Sequence, residues 1–106
     1  MADAELRRVR SKFVDGPSTE LINQLLDDLL EDGVLNKGEA DSIIEENNSR
    51  ANRARALIDS VIRKGDRASS RMINLLHRRD STLVSDLGLK VLKEEEKGEE
   101  QEESIR

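Results

Sequence analysis

The chain of 106 residues contains no cysteine, no tryptophan and no tyrosine, and only one phenylalanine and one proline. Each shortage excludes something. Without cysteine there is no disulfide, no thiolate nucleophile and no cysteine-held zinc. With Phe13 as the sole aromatic, the core must be built from Leu, Ile, Val, Ala and Met, and there is no set of rings on which nucleobases could stack. No apolar run approaches the ~20 residues of a membrane span, and residues 1–14 carry no apolar stretch of signal-peptide length. A soluble, cytoplasmic protein with no membrane span is expected.

Charge is plentiful and comes in blocks. Formal net charge is −5, which argues against a nucleic-acid partner. Residues 1–14 sum to +2, 15–32 to −6, 33–49 to −3, 50–71 to +5, 72–90 to +1 and 91–106 to −4. Folding can turn such blocks into faces of opposite sign.

Apolar spacing predicts six helices and no strand. The first covers 3–14, with Leu6, Val9 and Phe13 on one side. Asp15-Gly16-Pro17-Ser18 breaks it, and Ser18 is positioned to cap the second helix, 19–32. There Leu21, Ile22, Leu25, Leu26, Leu29 and Leu30 form a wide core stripe, and Gly33 suits a left-handed stop. Asn36 with Glu39 forms a capping-box pattern ahead of the third helix, 37–47, whose inner side is Ala40, Ile43 and Ile44. The fourth, 50–64, repeats Ala54, Leu57, Ile58, Val61 and Ile62 and closes at Gly65. Asp66 is expected to cap the fifth, 67–79, with Ala68, Met72, Leu75 and Leu76 inward. Asp80-Ser81 opens a short sixth, 82–87, stopped by Gly88, with Val84 and Leu87 closing the bundle. From Lys90 onward glutamate dominates, so 1–90 is read as one domain and 91–106 as a solvated acidic tail or linker.

Catalytic chemistry has no foothold. The single histidine, His77, lies beside Arg78 and Arg79 with no nucleophile or orienting group in pattern, and is expected at the surface. Acidic neighbours such as Asp27/Asp28 and Glu45/Glu46 lack the glycine-punctuated loop of a calcium site. No phosphate-cradling glycine motif is present. No catalytic residue, metal or cofactor is expected.

Specific segments resemble a known family. They are Met1-Ala2-Asp3 with Leu6 and Phe13; Leu25-Leu26-Asp27-Asp28-Leu29-Leu30; Val34-Leu35-Asn36-Lys37; Ala56-Leu57-Ile58-Asp59-Ser60-Val61-Ile62 with Lys64-Gly65; and Asp80, Leu83 and Leu87-Gly88-Leu89. Together, nearly without gaps over 1–90, they resemble the caspase recruitment domains of inflammatory caspases and of decoy proteins made of this domain alone. Arg63 stands where that family commonly has proline, and the third helix carries Gly38 and few bases. The resemblance implies an all-α, six-helix antiparallel Greek-key bundle of the death-fold type.

It also implies a function. Such domains assemble homotypically, an acidic face of the second and third helices docking on a basic face of the first and fourth. The charge blocks give the same partition. The acidic candidates are Asp27, Asp28, Glu31, Asp32, Glu39, Asp41 and Glu45; the basic candidates are Arg7, Arg8, Arg10, Lys12, Arg50, Arg53 and Arg55. Implied partners are further copies of the chain, in oligomers or filaments, and a caspase-recruitment-domain adaptor or sensor of an inflammasome. The parent protein would then be a cysteine protease activated by proximity, or the chain a decoy regulator. A different reading, also drawn from the resemblance, is binding of lipopolysaccharide or anionic lipid, for which Arg63, Lys64, Arg67 and Arg71 are added as candidates.

Overall fold

A computed structural model describes residues 2–89. They form six helices: α1 (Ala2–Asp15), α2 (Thr19–Glu31), α3 (Lys37–Glu45), α4 (Arg50–Lys64), α5 (Asp66–Arg79) and α6 (Ser81–Leu87). No strand occurs among the described residues.

Side-chain oxygens set most of the helix starts. Ser18 Oγ accepts from the Leu21 N–H at 3.1 Å, and Asp80 Oδ1 from the Leu83 N–H at 3.0 Å. Ser49 does the same for Asn52 at 3.1 Å. The capping box closes in both directions: the Glu39 N–H donates to Asn36 Oδ1 at 2.8 Å, and the Asn36 N–H to Glu39 Oε1 at 2.9 Å. Each such cap contributes about 1 kcal/mol. At the end of α2, Gly33 takes φ +80°, and the Val34 N–H donates back to the Leu29 carbonyl at 2.9 Å. That return bond needs a left-handed residue, and glycine adopts it without a Cβ penalty.

The core is a single aliphatic cluster around Phe13, which is fully buried with Leu6, Leu25, Leu57, Ile58, Met72 and Leu76. α1 packs on α4 and α5, and α5 also meets α2, α4 and α6, so α5 runs through the middle of the bundle. α3 sits at its edge, against α4 and α2.

Three expectations are corrected. Leu30 and Ile44, assigned to the core, are 36% and 38% exposed. Each follows a buried residue, Leu29 or Ile43, and one step along a helix turns the side chain by about 100° off the stripe. Asp66 is the first residue of α5 rather than its cap; Gly65 holds the cap position and no side chain caps that end. Asp66 Oδ1 instead accepts from the Ala2 N–H at 2.6 Å, tying the start of α1 to the start of α5. The core also includes Val14, Leu35, Ile73, Leu83 and Leu89, and buries Ser69 and Ser70. The 91–106 tail lies outside the described residues.

Candidate docking surfaces

The basic surface starts from α1 and α4, which pack side by side. Arg10 grips Asp59 of α4 with two bonds, Nε to Oδ1 at 2.7 Å and NH2 to Oδ2 at 2.8 Å. Arg55 and Arg63 stand one turn before and one turn after Asp59, on the same side of α4. The Arg10 hydrogen bonds hold the Asp59 carboxyl below its ordinary value, with smaller attractions from Arg63 and Arg55. Three arginines therefore surround one carboxylate, and Arg7, three residues before Arg10, extends the patch along α1.

The other basic candidates are placed differently. Arg8 donates to Glu5 at 2.8 Å and to the Gly88 carbonyl at 2.7 Å, so it faces the end of α6. Lys12, four residues on, shares its side of the helix. Arg50 donates to the carbonyls of Val14 at 2.8 Å and Pro17 at 3.0 Å, bracing the α1–α2 turn. Arg53 holds the α3–α4 turn through the carbonyls of Asn47 at 2.8 Å and Ile44 at 3.2 Å. Of the predicted basic set, only Arg10 and Arg55 act on Asp59, and Arg7 lies one turn before Arg10 on α1. Arg55 also donates to Asn52 in its own helix.

The acidic surface divides in two. One part is neutralised inside the molecule. Arg79 of α5 forks onto Asp28 at 2.7 and 2.8 Å, and these bonds hold the Asp28 carboxyl below its ordinary value against the opposing effect of burial. Arg71 reaches Asp32 at 3.4 Å. Lys64 meets Glu39 at 2.9 Å; the Asn36 N–H and then Lys64 lower the Glu39 carboxyl. Lys37 lies 3.4 Å from Asp41. The second part is outward and unneutralised. Asp27 and Glu31, one turn apart on α2, and Glu45 on α3 are exposed, with no ion pair among the described residues. Leu30 and Ile44, the two exposed large aliphatics among the described residues, stand three residues after Asp27 and Asp41, so each acidic helix face has an apolar contact beside its charge.

The lipid-binding candidates separate as well. Lys64, Arg67 and Arg71 line one cleft of about 660 Å³ with Asp32, Gly33, Val34 and Ala68. Arg63 lines another, of about 430 Å³, between α3 and α4. No group of three His, Asp or Glu that could hold a metal occurs among the described residues, and none of their helices is long and apolar enough to cross a membrane. His77 is exposed.

Two residues that the structure pairs with candidate docking charges were missed as such from sequence. Asp59 was named within the segment resembling the family but given no site role; its signal is the Arg55, Asp59, Arg63 spacing of four. Arg79 was read as the end of a core helix; its signal, the Arg78-Arg79 pair, does not say which acid it meets.

Comparison with known proteins decides the family. The sequence model of the caspase recruitment domain matches residues 3–90. This chain belongs to that family. Caspase-1-A of Xenopus laevis is 43% identical over 86 residues, which are 81% of this chain and 22% of that protein. Caspase-1 of Felis catus is 42% identical over 84% of this chain and 22% of its own length. The chain therefore spans about a fifth of the caspase-1 relatives it matches. Human caspase recruitment domain-containing protein 18 is 38% identical over 84% of this chain and 99% of its own length. The solution structure of ICEBERG, titled an inhibitor of interleukin-1β generation, superposes with a TM-score of 0.73 at 36% identity, covering 80% of this chain and 96% of ICEBERG. The all-α death fold is thus shared with ICEBERG. This chain is a caspase recruitment domain, a homotypic interaction domain related both to caspase-1 and to a protein that the match spans almost entirely.

Proposed function

We propose that this caspase recruitment domain associates head to tail: the outward acids Asp27, Glu31 and Glu45 of one molecule dock on Arg7, Arg10, Arg55 and Arg63 of the next. The observation that carries this reading is the separation of unneutralised charge. The exposed Asp27, Glu31 and Glu45, without an ion pair among the described residues, lie on α2 and α3, while Arg7, Arg10, Arg55 and Arg63 lie on α1 and α4. Contact between two different patches leaves each patch open on the outer molecules, so association propagates into oligomers or filaments. A solvent-exposed ion pair contributes only ~0.2–1 kcal/mol, so several must act together, with Leu30 and Ile44 supplying apolar burial at the acidic side. Complementary charge mainly sets encounter rate and partner choice, and makes assembly weaken with salt.

The partners of the same chemistry are caspase recruitment domains of caspase-1 type and of inflammasome adaptors or sensors, in the cytoplasm. Attached to a protease domain, the assembled module would raise local protease concentration and promote mutual activation. Standing alone, it would occupy one face of a caspase-1 domain and act as a decoy. That second reading is supported by the match across 99% of human caspase recruitment domain-containing protein 18 and by the ICEBERG likeness. Lipopolysaccharide binding has weaker support, because Glu39 and Asp32 already pair with Lys64 and Arg71 and Arg63 lies elsewhere.

The test uses two charge reversals. Asp27→Arg keeps the basic face and Arg55→Glu keeps the acidic one. Each alone should abolish sedimentable assemblies, and an equimolar mixture should give dimers that do not grow. Filaments from either single variant would sink the head-to-tail model.

A further inference from the structure

The turn between α5 and α6 carries a pattern that docking leaves unused. Arg78 and Arg79 stand three and two residues before Ser81, and no other serine or threonine of the sequence has arginine at both places. Ser81 is exposed, and its hydroxyl makes no hydrogen bond among the described residues. Asp80, just before it, has φ −153°, outside the helical region, so the hydroxyl sits at a break between helices. The start of α6 is held by the Leu83 and Val84 N–H groups, which donate to Asp80 at 3.0 and 3.2 Å. Opening that turn disturbs few bonds. A free hydroxyl preceded by two guanidiniums fits a kinase whose peptide groove is lined with carboxylates.

Arg79 already has a partner. It forks onto Asp28 of α2 at 2.7 and 2.8 Å, and Arg78 adds a weaker attraction to the same carboxylate. These three residues line a cleft of about 470 Å³ with Gln24. A phosphate on Ser81 would carry about 1.5–2 negative charges and three acceptor oxygens, against one charge and two oxygens on Asp28. The Cα atoms of Arg79 and Ser81 are at most about 7.6 Å apart, a span that an arginine side chain can cover. The phosphate is the stronger partner within reach.

We propose that Ser81 is a phosphorylation site and that its phosphate draws Arg79 and Arg78 off Asp28, releasing that carboxylate to the acidic face beside Asp27. The γ-phosphoryl group of ATP moves to Ser81 Oγ: the Oγ–H bond breaks, an Oγ–P bond forms, the proton passes to the kinase base and ADP leaves. The released charge strengthens docking on the arginines of a second molecule. That consequence rests on the head-to-tail reading; the site and the exchange of Arg79 do not.

The test treats the folded chain with the catalytic subunit of cyclic-AMP-dependent protein kinase, ATP and magnesium, and maps the product by peptide fragmentation. Transfer should be confined to Ser81 and vanish in Ser81→Ala, which should melt and assemble like the parent. Below the concentration of assembly, Asp28→Asn should lower the melting temperature of the unmodified protein. It should leave that of the phosphorylated protein unchanged, because Asp28 has already lost Arg79 there. No transfer, transfer to another hydroxyl, or transfer only to the heat-unfolded chain overturns the site. An equal loss from Asp28→Asn in both forms overturns the exchange. Phosphorylation should also lower the concentration needed for assembly a few-fold; an unchanged threshold with the exchange intact overturns the link to docking alone. In the Arg55→Glu background the melting result should persist, which separates a failure of the exchange from a failure of head-to-tail docking.

Discussion

On the α1–α4 side, a carboxylate sits in the middle of the cations and holds one of them; on the α2–α3 side, the acids are sorted into an inner set neutralised by α4 and α5 and an outer set left bare. Both surfaces carry net charge of one sign, but they are built by different means. Asp59 orients Arg10 and lowers the charge of the basic patch. Arg79, Arg71 and Lys64 remove Asp28, Asp32 and Glu39 from the acidic one while stitching α2 and α3 to the bundle. Charge counted by block therefore overstates both docking surfaces. Part of each block holds the fold, and under the proposed docking only the remainder would meet a partner.

The division between bracing and docking charge can be broken by experiment. The largest effect is expected at Arg50, whose guanidinium holds two backbone carbonyls. Arg50→Ala should cost about 1.5–3 kcal/mol in urea denaturation, as for the loss of hydrogen bonds from a charged donor. Arg55→Ala should stay within about 0.5 kcal/mol of the parent yet lose assembly, as a surface substitution that removes a docking charge. Equal stability losses at the two sites would erase the distinction. A smaller effect of opposite sign is expected at Asp59. Asp59→Asn removes the carboxylate inside the basic patch, so assembly should tighten a few-fold by light scattering, on the ~0.2–1 kcal/mol scale of one exposed pair, while stability falls slightly. The smallest effect belongs to Glu39. Glu39→Gln keeps a capping-box acceptor and loses only the Lys64 pair, about 0.2–1 kcal/mol, whereas Glu39→Ala should add roughly 1 kcal/mol for the lost cap.

Acid provides an independent probe of the bracing set. Asp28, Glu39 and Asp59 all have carboxyls held below their ordinary values. A group depressed in the folded state contributes stability above its unfolded-state value and loses it as pH falls through the folded-state value. The melting temperature should be flat above the ordinary carboxylate range and fall below it. Asp28→Asn should reduce that acid dependence.

Helix number, order and most boundaries were legible because the apolar residues keep a helical period and the breaks contain capping residues. Ser18, the Asn36/Glu39 box, Gly33 and Asp80 all act as their local pattern suggests. Errors fall where a local rule meets a tertiary alternative. Asp66 falls one position inside α5, with Gly65 at the cap, and its carboxylate accepts the part-buried Ala2 N–H instead. Leu30 and Ile44 looked like core by composition, yet nothing packs fully over the outer sides of α2 and α3. The polarity of each face was visible in the blocks, while Arg50 and Arg53 could not be told from Arg55 by spacing alone.

The sequence by itself determined six amphipathic helices, an aliphatic core around Phe13 and opposite charge on α1/α4 and α2/α3, because period, caps and local composition are properties of neighbouring residues. Only the tertiary structure decided which charges are bound internally. The Arg10–Asp59, Asp28–Arg79 and Glu39–Lys64 pairs join residues 49, 51 and 25 positions apart. Hydrogen bonding of that kind requires contact within about 3 Å, and sequence separation does not encode it; the packing of one helix on another does.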